Sequence, residues 1–104
     1  MDKNEVIVIV KQYAETVKEK INPQKVILYG SFAKGNWHED SDIDVAVIVD
    51  SLDNDLLETK KMLFKLRRGI DDRIEPILLE NNSIDGSGFI KDVLKHGQVI
   101  YSRQ

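Results

Sequence analysis

The chain has 104 residues, 41% hydrophobic and 32% charged, with 15 Lys and Arg against 18 Asp and Glu for a net charge of −3. That length predicts one compact domain over residues 1–104, burying roughly 65% of the unfolded chain's surface, with no length for a second. The absence of cysteine excludes disulfides, thiolate metal sites and cysteine nucleophiles, and the acidic balance lacks the basic excess of proteins that live on nucleic-acid backbones.

From Asn4 to Ile21 the apolar residues Val6, Val10, Tyr13, Val17 and Ile21, with Ala14 beside Tyr13, follow helical spacing. The stretch Val6-Ile7-Val8-Ile9-Val10 is β-branched and argues locally for a strand. The longer period predicts a helix, ended by Asn22-Pro23. This stretch is also the longest apolar run, far short of the roughly 18 residues a membrane span needs. The polar, partly acidic start is unlike a signal peptide, so the expected location is the cytoplasm, with no membrane. Lys25 to Tyr29 reads as a buried strand closed by the turn Gly30-Ser31. Phe32-Ala33-Lys34 reads as one helical turn broken by Gly35-Asn36.

Ile43 to Val49 carries the strongest strand signal. Ile43, Val45, Val47 and Val49 fall on one face, and Asp42, Asp44, Ala46 and Ile48 on the other, as expected of a central strand covered on both sides. A second helix is predicted over Asp53 to Arg68, with Asp53 and Asp55 in its first turn and Arg67 and Arg68 in its last, the order the helix dipole favours. Gly69 suits its stop. Arg73 to Leu79 reads as a third strand, and Pro76, which has no amide donor, places it at an edge or a strand end. Asn81 to Gly88 reads as a loop. Phe89, Ile90, Val93 and Leu94 form a short last helix capped by His96-Gly97, and Gln98 to Tyr101 adds an edge strand. This order describes an α/β (α+β) domain, a small mixed sheet of three or four strands flanked by helices.

Three features carry chemistry. Glycine in the Gly30-Ser31 turn lets the backbone approach a ligand, and the following amides and the Ser31 hydroxyl suit a phosphate; taken alone, the pair reads as an ordinary turn. Asp42 and Asp44 are two apart on a strand and share a face. Their mutual repulsion is relieved by a cation such as Mg²⁺, which takes one or two carboxylates plus substrate phosphates; the alternative is a pair of solvated surface acids beside Glu39 and Asp40. Glu75, on the next predicted strand, offers a third carboxylate for a metal site or for a hydroxyl proton, or else is a surface glutamate.

Spacing joins the three. After Gly30-Ser31 come ten residues, Phe32 to Ser41, and then Asp42-Ile43-Asp44. This resembles the signature of the DNA-polymerase-β-like nucleotidyltransferases. Gly30-Ser31-Phe32-Ala33-Lys34-Gly35 is similar to that family's Gly-Ser-x-Ala-Arg-Gly, with Lys34 where arginine is usual. The length and the closing Gly97-Gln98-Val99-Ile100-Tyr101 resemble the minimal nucleotidyltransferases, including the antitoxin halves of HEPN–MNT toxin–antitoxin pairs. The resemblance implies the nucleotidyltransferase fold and transfer of a nucleoside monophosphate, AMP from ATP, to a hydroxyl. Gly30, Ser31 and Lys34 would hold the nucleotide, and Asp42, Asp44 and Glu75 would be catalytic and bind two Mg²⁺ ions. Lys34 keeps a positive charge but lacks arginine's two-pronged geometry.

The acceptor surface is expected on another chain, and the implied partner is a HEPN-domain toxin. The alternative is a binding module that neutralises its partner by contact alone. Transfer to a small molecule ranks below both, since only a homo-oligomer could build the pocket it needs. His38 reads as a solvated loop residue, Trp37 as a base-stacking or core-edge residue, and His96 as part of a helix end. Tyr29 and Tyr101 read as packing. Lys60, Lys61, Lys65, Arg67 and Arg68 make one helix strongly basic, a solvated face or one that meets an acidic partner.

Overall fold

The computed structural model describes residues 2–51, 55–81 and 88–103. Helix α1 (Lys3–Lys20) is followed by β1 (Lys25–Tyr29), α2 (Ser31–Lys34), β2 (Ile43–Val49), α3 (Leu56–Leu66), β3 (Ile74–Glu80), α4 (Phe89–His96) and β4 (Gln98–Ser102). The four strands form one mixed sheet in the order β3-β2-β1-β4. β1 is antiparallel to β2 and β4, and β2 is parallel to β3. α3 is the crossover such a parallel pair requires.

The β-branched run at the start of the chain is helical. Asp2 caps α1 by accepting the Glu5 amide at 2.9 Å. Val6, Val10, Tyr13 and Val17 are fully buried on one face, whereas Val8 is 54% exposed. Burial repeated over four turns outweighs the local strand preference of five residues. Tyr13 donates its hydroxyl to the Leu63 carbonyl at 2.6 Å and so ties α1 to α3. Burial raises the Tyr13 pKa, against a smaller opposing effect of the Arg67 charge. Unfolded tyrosine ionises near 10, while the folded residue still holds its proton. The Tyr13 contribution is therefore complete below about pH 10 and is lost as pH rises through the raised value. Tyr13→Phe is expected to cost about 1 kcal/mol in urea denaturation near neutral pH and to flatten the alkaline loss of stability.

β2 has the two-faced character expected of a central strand. Ile43, Val45 and Val47 join the core under α1, with Leu63 of α3, while Ala46 and Ile48 pack with Ile27 and Val93 on the other side. β3 lies at the sheet edge, where the missing amide of Pro76 leaves no partner strand unsatisfied. α4 reaches the second face through Val93. A Cβ on Gly97 would lie 2.4 Å from the Val93 carbonyl and 2.5 Å from Ile27 Cγ2, so only glycine lets the end of α4 meet β1 this closely. Among the described residues no helix is long and apolar enough to cross a membrane.

The second helix departs from its expected bounds. It begins at Leu56 behind Asp55, and the predicted start at Asp53 falls outside the described residues. It ends at Leu66 rather than Arg68. There the chain tightens, with the Arg68 amide bonded to the Lys65 carbonyl and the Ile70 amide to the Arg67 carbonyl, before Gly69 at φ +84°. The loop predicted over Asn81 to Gly88 lies mostly outside the described residues.

Candidate active site

The strand register assembles the site. Tyr29 pairs with Asp44 across β1 and β2, and Asp44 pairs with Glu75 across β2 and β3. The three side chains therefore share the sheet face that α4 partly covers. Asp42 stands just ahead of β2, exposed and two residues from Asp44. The loop before it is held at Ser41, whose hydroxyl accepts the His38 amide at 2.9 Å while its own amide donates to the His38 carbonyl at 2.9 Å. The Ile43 amide donates to the Arg73 carbonyl at 2.9 Å and fixes the mouth of β2 against β3.

Gly30 brings the turn onto Asp44. Its φ of +75° and ψ of −149° lie in a region that is essentially glycine's alone. A Cβ there would fall 2.1 Å from Asp44 Oδ2. Ser31 opens α2, whose first backbone bond runs from the Lys34 amide to the Gly30 carbonyl at 3.0 Å. The amides of Ser31, Phe32 and Ala33 thus have no acceptor within the helix. Lys34 is exposed at the helix end, and Gly35 closes it in the left-handed region.

The acids sense one another. The Asp44 carboxyl is pushed above its ordinary pKa, first by burial and then by the charges of Asp42 and Glu75. Tyr29 is pushed up to about 12, by burial first and then by Asp44 and Glu75. Arg67 steadies the third acid: its Nη1 donates to the Ile74 carbonyl at 2.9 Å and stands 3.7 Å from Glu75 Oε1. Among the described residues no three His, Asp or Glu side chains are drawn together tightly enough to hold an ion. Asp42 and Asp44 nonetheless form an open pair of hard oxygen ligands under electrostatic strain, which fits a magnesium ion that keeps waters and takes phosphate oxygens. Asp71 is not part of this set. It accepts from Arg73 Nη2 at 2.6 Å and Nε at 3.0 Å, which holds its carboxyl below the usual range.

The set-aside residues divide. Trp37 stacks on Phe32 at 5.3 Å and packs against the core, as a core-edge residue does. His38 is exposed, and His96 lies 3.7 Å from Asp92 on the last helix. Tyr29 is more than packing. It meets Phe89 edge-on at 5.8 Å and stands beside both paired acids. Arg67 is more than one cation of a basic helix, since it reaches the Ile74 carbonyl and Glu75. Neither role has a local signal, because both arise from strand pairing and from how α3 ends.

The Gly30 turn thus lies against the Asp44 carboxylate at the mouth of a mixed sheet. Residues 11–104 match the family model described as polymerase beta, nucleotidyltransferase. The chain is 34% identical over 95 residues to "Putative protein adenylyltransferase MJ0604" of Methanocaldococcus jannaschii, covering 88% of this chain and 94% of that protein. It therefore belongs to the polymerase β nucleotidyltransferase family. A nucleotidyltransferase structure from Sulfolobus solfataricus shares the fold at a TM-score of 0.70 and 19% identity, over 97% of this chain and 84% of that one. A toxin–antitoxin structure with AMP-PNP matches at a TM-score of 0.64 and 26% identity, over 90% of this chain and 74% of that one.

Proposed function

We propose that this protein transfers a nucleoside monophosphate, AMP from ATP, to a hydroxyl on a partner protein, in a Mg²⁺-dependent reaction. The observation that carries this reading is the contact between the Gly30 turn and Asp44, with Glu75 in register beside it. The adenylyltransferase name of the Methanocaldococcus relative supports AMP, and the toxin–antitoxin neighbour supports a protein acceptor, for which a HEPN-type toxin is the candidate.

The free amides after Gly30 and the Ser31 hydroxyl would hold the terminal phosphates, with Lys34 adding charge at the rim. Asp42 and Asp44 are the pair that would hold Mg²⁺, with Glu75 in register beside Asp44. When bound, the ions supply charge neutralisation for an in-line displacement at the α-phosphorus. The acceptor oxygen forms a bond to that phosphorus as the bond to the β-phosphate's bridging oxygen breaks. Pyrophosphate leaves with the electron pair, and the hydroxyl proton passes to a carboxylate, for which Glu75 is the candidate.

Incubation with α-labelled ATP, Mg²⁺ and the protein encoded by the neighbouring gene is expected to label that protein, and EDTA to abolish labelling. Label on no protein or small-molecule acceptor would remove the transferase reading. The contact-only alternative makes a different prediction: Asp42→Ala with Asp44→Ala would still neutralise the partner.

A further inference from the structure

We propose that the outer face of α3 is a docking groove for an acidic, amphipathic segment of the acceptor protein. This rests on the reading that the acceptor is a protein. Leu57 and Phe64, the cations Lys60, Lys61, Lys65, Arg67 and Arg68, and one acid, Asp72, line a groove of about 690 Å³. Leu57, Lys60, Lys61, Phe64 and Lys65 fall on one side of α3 by spacing, and Arg67 and Arg68 follow its end. Leu57 is 64% exposed and Phe64 39%, so two large apolar side chains sit among cations in water. Beside them a smaller cavity of about 220 Å³ lies between α3 and β3, floored by Pro76, Ile77 and Leu78 and sharing Lys60 and Phe64 with the groove.

The charges are available. Lys60, Lys65 and Arg68 form no ion pair with another described residue, and Lys61 has only an exposed pairing with Glu58 at 3.6 Å. Five cations against one acid, Asp72, in the groove of a chain whose net charge is −3 set a local field opposite to the whole molecule's. Nucleic acid fits this surface less well. Arg67 already lies over the Phe64 ring, and Leu57 and the aliphatic floor gain nothing from phosphates, whereas an acidic amphipathic segment satisfies both kinds of side chain. Position gives the groove its use. One end of it is Arg67, which lies over the Phe64 ring at 5.1 Å and 3.7 Å from Glu75. Arg67 thus links the end of the groove to Glu75 at the sheet edge.

The test uses a fluorescein-labelled peptide of Glu and Leu at helical spacing, followed by anisotropy without nucleotide. Binding is expected to weaken about tenfold or more between about 50 and 300 mM salt. The combined change Lys60→Glu, Lys65→Glu and Arg68→Glu is expected to raise Kd at least about tenfold, and Phe64→Ala about fivefold. Lys60→Ala with Lys65→Ala repeats the test with a milder change, and circular dichroism verifies the fold of each variant. Asp44→Asn is expected to bind the peptide as the wild type does, so loss of docking and loss of the transferase reading are separate results. The proposal fails if the peptide does not bind, if binding ignores the charge changes, or if a uridine oligonucleotide binds more tightly. It also fails if the groove proves to be a contact between two copies, seen as a dimer in sedimentation that the same substitutions dissociate.

Discussion

Asp44→Asn is expected to make the metal-free protein more stable while abolishing nucleotidyl transfer. Ionising Asp44 carries a cost, since burial and the charges of Asp42 and Glu75 all oppose its negative charge. The amide keeps the shape and removes that charge. A carboxyl whose pKa is raised by folding binds its proton more tightly in the folded state, so stability falls as pH rises from the unfolded value near 4 through the raised one. The wild type should show that fall without metal, and the variant should lack it. Thermal unfolding in EDTA is expected to rise by a few degrees in the variant, where about 1 kcal/mol corresponds to roughly 4–8 °C in a domain of this length. Adding Mg²⁺ should raise the wild-type midpoint by mass action and leave the variant's unmoved. Transfer should fall by roughly 10²–10³-fold or more, the loss that follows removal of a group stabilising transition-state charge. A variant that is less stable in EDTA, or that still transfers, would contradict the role of Asp44.

Gly30→Ala is expected to damage both fold and activity. The backbone there has φ +75° and ψ −149°, and forcing an alanine into that region costs roughly 1–3 kcal/mol. The new methyl would also lie 2.1 Å from Asp44 Oδ2, so the carboxylate must move. Misplacing a reacting group by about 1 Å costs roughly 10²-fold in rate, and kcat/KM is expected to drop by at least that factor. Gly69→Ala separates the two effects. Gly69 also has a positive φ, of +84°, but a Cβ there meets nothing within 4 Å. It should lower the thermal midpoint and leave transfer intact. Equal losses of activity in both variants would mean that strain, rather than the contact with Asp44, explains the effect of Gly30→Ala.

The contrast between these glycines shows how far a chain can be read by eye. Gly30-Ser31 and the ten-residue interval to Asp42 are local, and they placed the turn and the acid pair in advance. Pro76 marked β3 as an edge because an amide is either present or absent. α3 ends two residues before the expected Arg68, because the tightening after Leu66 depends on backbone bonds that no side chain announces. Tyr29 looked like a packing residue and Arg67 like one more cation on a helix. Each acquired its place beside Asp44 or Glu75 only when strands met.

The order of elements and the two apolar faces of β2 followed from the amino-acid sequence alone, because periodicity and turn chemistry act between near neighbours. Tertiary structure decided which acids face one another. Asp44 and Glu75 lie on strands separated by a whole helix, and only their parallel register sets them side by side. It also decided that α4 covers part of one sheet face while the outer side of α3 keeps its cations in water. Such relations come from long-range pairing and packing, whose energy is shared among residues far apart in the chain and leaves no mark on any short stretch of it.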